Sequence, residues 1–134
     1  MNKPKIAIFT AMIILLLSIL ACSGSVSTAN IPDAWLSTDE AGSNRTTVFS
    51  QDAVFYAQVQ LKNAPDDTTL KAVWTAVNAD GVDPNYLIME TEYTGGDELV
   101  HFTLSNDNFW PTGDYKVEIY LNDKLDKTLT FTVE

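Results

Sequence analysis

An all-β fold, an antiparallel sandwich of about seven strands behind a short apolar N-terminal segment, is what this 134-residue sequence predicts. Three observations predict it. Polarity alternates residue by residue in four stretches between Ala53 and Val133, the period of a strand with one buried face. Asn, Asp, Gly and Pro cluster between those stretches, as turns between strands require. After Cys22 no segment sustains the apolar period of a helix, so strands have no competitor there.

The chain opens with Met1-Asn2-Lys3-Pro4-Lys5, basic and free of acid. From Ile6 to Leu20 only Thr10 and Ser18 are polar, an apolar run of 15 residues. A membrane-spanning helix wants about 20 residues, whereas the core of a secretory signal is about this long. Ile19-Leu20-Ala21-Cys22 follows at once. That order, aliphatic, variable, small, cysteine, resembles the signal of bacterial lipoproteins. The resemblance implies that the Cys22 thiol takes a diacylglyceryl group and that cleavage before it leaves Cys22 as the mature N-terminus. Cys22 is the only cysteine, so no internal disulfide competes for it. Several acyl chains on one residue satisfy the need of stable anchoring for more than one chain. The resemblance places the protein in the cell envelope on a lipid anchor. With Ser rather than Asp at position 23 it leans to the outer membrane of a Gram-negative cell, and otherwise to the outer face of the cell membrane.

Residues 1–21 are thus read as the signal peptide, 22–32 as lipidated cysteine and flexible tether, and 33–134 as the folded domain. Ser23 to Asn30, SGSVSTAN, is small and polar, as a tether should be. A less regular first strand is expected around Ala34 to Phe49. Ala53 to Leu61 comes next, with Phe55, Ala57, Val59 and Leu61 inward and Tyr56, Gln58 and Gln60 outward. Asn63 to Asp67 is a turn cluster, and Thr69 to Val77 a strand carrying Trp74. Asn78 to Asn85, with Gly81 and Pro84, reads as a loop. Tyr86 to Tyr93 is strand-like until Gly95-Gly96 breaks it. Leu99 to Leu104 turns Val100, Phe102 and Leu104 inward. Tyr115 to Leu121 turns Tyr115, Val117, Ile119 and Leu121 inward and Lys116 and Glu118 outward. Asn122-Asp123 is a tight turn, after which Leu129, Phe131 and Val133 alternate with threonines.

One stretch narrows the sandwich class. In Phe109-Trp110-Pro111-Thr112-Gly113-Asp114-Tyr115 an apolar residue is followed by Pro two later and Tyr four after that. This resembles the tyrosine corner of immunoglobulin-like and fibronectin type III domains, in which the Tyr hydroxyl bonds back to upstream backbone. Trp74 falls on the third main strand, where such domains often bury a Trp. The resemblance covers residues 33 to 134, rests on Trp74, Pro111, Gly113 and Tyr115, and lacks the paired inter-sheet cysteines of antibody domains.

Composition excludes more functions than it suggests. The whole chain carries a formal charge of −10, with 8 basic and 18 acidic residues. Loss of Lys3 and Lys5 with the signal leaves a mature charge of −12. No basic footprint exists for nucleic acid, and anionic headgroups would repel the folded part. No catalytic role and no cofactor is expected. The single histidine, His101, sits on an outward face, and no nucleophile elbow accompanies it.

Asn78, Asp80, Asp83, Asn85 and Tyr86 mark the candidate binding loop. Oxygen ligands every second residue around Gly81 suit calcium, yet Ala76 stands at the first ligand place and Leu87 at the twelfth. Trp35, Tyr86, Tyr93, Trp110 and Tyr120 are candidates for a platform on which sugars stack. Asn44-Arg45-Thr46 matches a glycosylation sequon, an accident beside a bacterial signal. The expectation is a non-catalytic module that binds another envelope protein, with a receptor for carbohydrate or calcium as the alternative.

Overall fold

The computed structural model describes residues 27–134, so Cys22, the apolar segment and residues 23–26 of the tether lie outside the described residues. Eight strands order as β1 (Asn30–Ser37), β2 (Val48–Phe49), β3 (Phe55–Lys62), β4 (Thr69–Ala79), β5 (Tyr86–Thr94), β6 (Glu98–Leu104), β7 (Gly113–Leu121) and β8 (Lys124–Val133). They form two sheets, β1-β3-β6 and β2-β8-β7-β4-β5. Every pairing is antiparallel except β2 with β8, which is parallel.

The alternation read from the sequence is the alternation that packs. Phe55, Ala57, Val59 and Leu61 of β3 meet Leu70, Ala72 and Trp74 of β4 and Val117 and Ile119 of β7 in one core. Its centre is aromatic. The Phe55 ring lies 4.8 Å from Phe49, 4.8 Å from Trp110 and 4.9 Å from Phe131, centroid to centroid. Edge-to-face and offset geometry at such distances adds to the simple burial of apolar area.

Two expectations need correction. The irregular first strand expected over Ala34 to Phe49 is two strands in different sheets. β1 begins at Asn30, with Ile31 already buried, so the sandwich starts inside the segment read as tether. After Ser37 the chain turns, crosses, and delivers Phe49 to the other sheet beside Val133. The turn has a physical cause: the Asp39 carboxylate accepts hydrogen bonds from the backbone N–H groups of Asn44 and Ser43, at 2.8 and 3.0 Å. Those donors, Asn44 first, hold the Asp39 carboxyl below its ordinary value of 3.8, so this bonding is complete at neutral pH and is lost only in acid, as the group protonates. Gly42, at φ 77°, closes the turn against the Gln58 side chain.

That turn also explains the second correction. Gln58, expected outward with Tyr56 and Gln60, is buried because residues 38–44 fold over it. Its Nε2 donates to Glu40 O at 2.9 Å and to Ser37 Oγ at 3.3 Å, while its Oε1 is left without a partner. An outward position on a strand is exposed only while no loop covers the sheet.

Beside Gln58 on the same face, His101 pairs with it in register and places Nε2 3.2 Å from Glu40 Oε1. Asn122 and Asp123 both take positive φ, 48° and 66°, the backbone that a two-residue hairpin between twisted strands demands.

Candidate functional site

The corner segment positions one end of the molecule. Tyr115, on β7, is buried and donates its hydroxyl to the Pro111 carbonyl at 2.6 Å. Burial raises the Tyr115 hydroxyl above its ordinary value, so it stays a donor throughout the working range. Gly113 begins β7 at φ 147°, pressed against the backbone of Asn78 and Ala79. Trp110 turns back into the core and donates Nε1 to Ala53 O at 2.9 Å. Tyr115→Phe should cost about 1 kcal/mol of stability by loss of that one bond. Urea unfolding checks it, and an unchanged midpoint would show that the hydroxyl contributes nothing.

Backbone hydrogen bonds gather three loops at this pole. Asp80 N donates to Thr112 O at 2.9 Å, and Trp110 N to Gln51 O at 2.7 Å. The loops 50–54, 80–85 and 105–112 therefore share one end of the sandwich. The chain enters at the opposite end. There Thr28 Oγ1 donates to Asn63 O at 2.7 Å, and Asn63 Nδ2 to Asn30 Oδ1 at 3.1 Å.

The candidate loop divides in two. Asn78 and Ala79 belong to β4, past a bulge at Ala76/Asn78. Asp80 to Asn85 form the turn, with Gly81 at φ 73° and Asn85 at φ 57°. Asp80, Asp83, Asn85 and Tyr86 are all exposed, and the two aspartates make no ion pair among the described residues. No three His, Cys, Asp or Glu side chains converge on a metal-sized space among the described residues. Calcium thus has no preassembled carboxylate cluster in this loop.

The aromatic candidates are dispersed. Trp110 is core, which corrects its place among the platform residues: the corner turns its ring inward onto Phe55. Trp35 lies on β1 beneath the Arg45 guanidinium, 3.9 Å from its ring. Tyr120 faces outward from β7 under Lys71 Nζ, at 4.8 Å. Tyr93 donates its hydroxyl to Glu98 Oε2 at 2.9 Å near the opposite pole. Of the five, Tyr86 alone stands at the loop pole on an open surface.

A different apolar surface emerges around Tyr86, one that sequence reasoning missed. The register sets Tyr86 opposite Ala76 and Met89 opposite Trp74, so both side chains lie on the inner face of the larger sheet. The opposing sheet has only three strands and does not reach across to cover β5. Tyr86 is 55% exposed and Met89 44%, and Leu87 lies open on the other face at 52%. Beneath them a cleft of about 330 Å³ is bounded by Ile88 and Met89 of β5 on one side and by Leu104, Asn106 and Pro111 on the other. Phe109, on the same 105–112 loop, is the most exposed large apolar residue among the described residues, at 72%. A strand of apolar and acidic residues, YLIMETEYT, was the available signal, but nothing local tells whether its inner face will be covered.

No protein-family model matches the chain, and no curated protein matches it in sequence. Solved structures resemble it in fold. An immunoglobulin-like protein from Pseudomonas aeruginosa superposes with a TM-score of 0.51 at 17% identity, covering 83% of this chain and all of its own. A Pseudomonas fluorescens alkylpurine DNA glycosylase matches at TM-score 0.54 and 10% identity over 87% of this chain, and this chain spans 33% of that enzyme's. A β-glucosidase from Listeria innocua matches at TM-score 0.51 and 14% identity over 80% of this chain and 16% of its own. At such identities the likeness is one of fold. The described residues form an immunoglobulin-like β-sandwich.

Proposed function

We propose that this chain is a lipid-anchored protein of the cell envelope whose sandwich binds another envelope protein, without catalysis. The observation that carries the reading is the polarity of the domain. Its chain enters at one pole, while Phe109 and Tyr86, the most exposed large apolar side chains among the described residues, lie at the other; Leu99 and Leu125, toward the entry pole, are less exposed. Apolar groups left in water at the end opposite the point of attachment are what a displayed binding module requires, and Tyr and Phe are enriched in such contacts.

The anchor follows from the sequence around Cys22. Asn30 lies eight positions beyond Cys22, and at about 3.5 Å each these steps reach at most ~30 Å, holding the entry pole near the bilayer. Asp66, Asp67, Asp97 and Asp123 are exposed at that pole and would be repelled by anionic headgroups, so the lipid rather than the protein surface makes the attachment.

Two measurements test the reading. Cys22→Ser should leave an uncleaved precursor about 21 residues longer and abolish incorporation of labelled palmitate. A mature N-terminus elsewhere, without acyl mass, would refute the anchor. A photo-crosslinking phenylalanine in place of Phe109 should give a discrete adduct with one envelope protein in intact cells, and the same group at Asp123 none. Equal labelling from both poles would refute the orientation.

A further inference from the structure

Four strand edges close the two sheets, and they differ in length, regularity and the chemistry they present. β2 is two residues long. β1 carries Pro32 and a bulge between Asn30 and Asp33. β6 has seven regular residues, and its apolar face, Val100, Phe102 and Leu104, is already buried. β5 runs nine, from Tyr86 to Thr94, paired on one side by β4; a bulge at Ile88 interrupts it, and from Met89 to Thr94 it runs in unbroken register with neither Pro nor Lys. A regular edge run without Pro or Lys, its apolar face uncovered, offers its free N–H and C=O groups to another strand.

We propose that the outer edge of β5 takes an extended segment of the protein partner as an added antiparallel strand, a segment that alternates basic and apolar side chains. The inference rests on the reading that this domain binds a protein. Its chemistry comes from the two faces of β5. On the inner face Tyr86 and Met89 border the cleft of about 330 Å³, which accepts apolar side chains of the incoming strand. On the outer face Glu90 and Glu92, opposite Val73 and Lys71, are exposed, and among the described residues neither forms an ion pair. Lys71 Nζ is placed over the Tyr120 ring instead. Directly opposed charges of unlike sign stabilise a strand pair, and like charges oppose it. A second copy is therefore a poor occupant: self-pairing about the middle of the strand sets the glutamates of two copies against one another. A strand with bases on one face and apolar residues on the other meets both faces of β5 at once.

The full chain in nonionic detergent tests this against an octapeptide of alternating lysine and valine, capped at both ends. Its counterpart with glutamate for lysine is the control. At low salt the lysine peptide should bind at least tenfold tighter, and it should slow amide hydrogen exchange in β5 and not in β6. The double variant Glu90→Lys, Glu92→Lys should reverse the preference between the two peptides. A lysine peptide N-methylated at alternate residues should lose at least tenfold in affinity, because edge pairing needs its N–H groups. Equal binding of both peptides, protection outside β5, undiminished binding of the N-methylated peptide, or no binding at millimolar concentration would each overturn the proposal. Dimerisation through β5 in sedimentation would replace the partner by a second copy and overturn it too. A discrete crosslink at Phe109 together with any of these failures would leave the protein-binding reading standing and remove only the strand addition.

Discussion

Phe55→Ala is expected to be the most destabilising truncation in the domain, lowering its stability by about 3–5 kcal/mol. Against a typical total of about 5–15 kcal/mol, this brings the native state close to unfolding. The reason is position rather than size. Phe55 is fully buried and lies against Phe49, Trp74, Trp110, Tyr115 and Phe131, which come from the opposite sheet and from the corner loop. Removing its ring opens a cavity bounded by other rigid rings, which cannot collapse to refill it. Trp74→Ala removes a larger ring that is equally buried, yet should cost less. The Trp74 Nε1 has no hydrogen-bond partner, and a buried donor left unpaired costs roughly 1–3 kcal/mol, which the truncation relieves. Denaturant unfolding of both variants, compared at equal slope, decides the order. A larger loss for Trp74→Ala would show that its indole N–H is satisfied in the native protein.

Gly113→Ala should cost roughly 2–5 kcal/mol, from backbone strain and steric overlap together. At φ 147° the backbone of Gly113 is in a region that side chains rarely enter, and an added Cβ would sit 2.6 Å from Ala79 Cα and closer still to Asn78 O. The clash cannot be absorbed by a rotamer, since both neighbours are main chain. β4 and β7 would have to part at Ala79 and Gly113, the junction that holds the 80–85 loop to Thr112. Beyond the loss of stability, amide exchange should therefore rise first in residues 78–85 and 111–115. A stability loss under 1 kcal/mol with exchange unchanged there would contradict the contact.

The candidate surface was legible only in part. Tyr86 and the Asp80–Asn85 turn stand out in the sequence by their turn chemistry, because Gly81 and Asn85 do adopt the positive φ that such residues tolerate. The open face of β5 does not stand out. Its exposure is a shortfall of one sheet against another, not a property of its own residues. Trp110 misleads for the converse reason: an aromatic in a loop reads as accessible, and the bond from Tyr115 to Pro111, with the turn it fixes, carries the indole inward.

What the sequence determined by itself was local and periodic. Phe55 to Leu61, Val100 to Leu104 and Tyr115 to Ile119 declare their buried faces through alternation, because in a strand successive side chains point to opposite sides. The Asn122-Asp123 turn declares itself through the few residues that accept its backbone. The tertiary structure alone decided which strands became neighbours. It split the segment from Ala34 to Phe49 between two sheets, buried Gln58 under the Asp39 turn, and set three strands against five so that β5 stayed uncovered. Alternation tells a strand which side is inside. It carries no information about the width of the sheet that will lie opposite, since that width depends on where the chain crosses from one layer to the other.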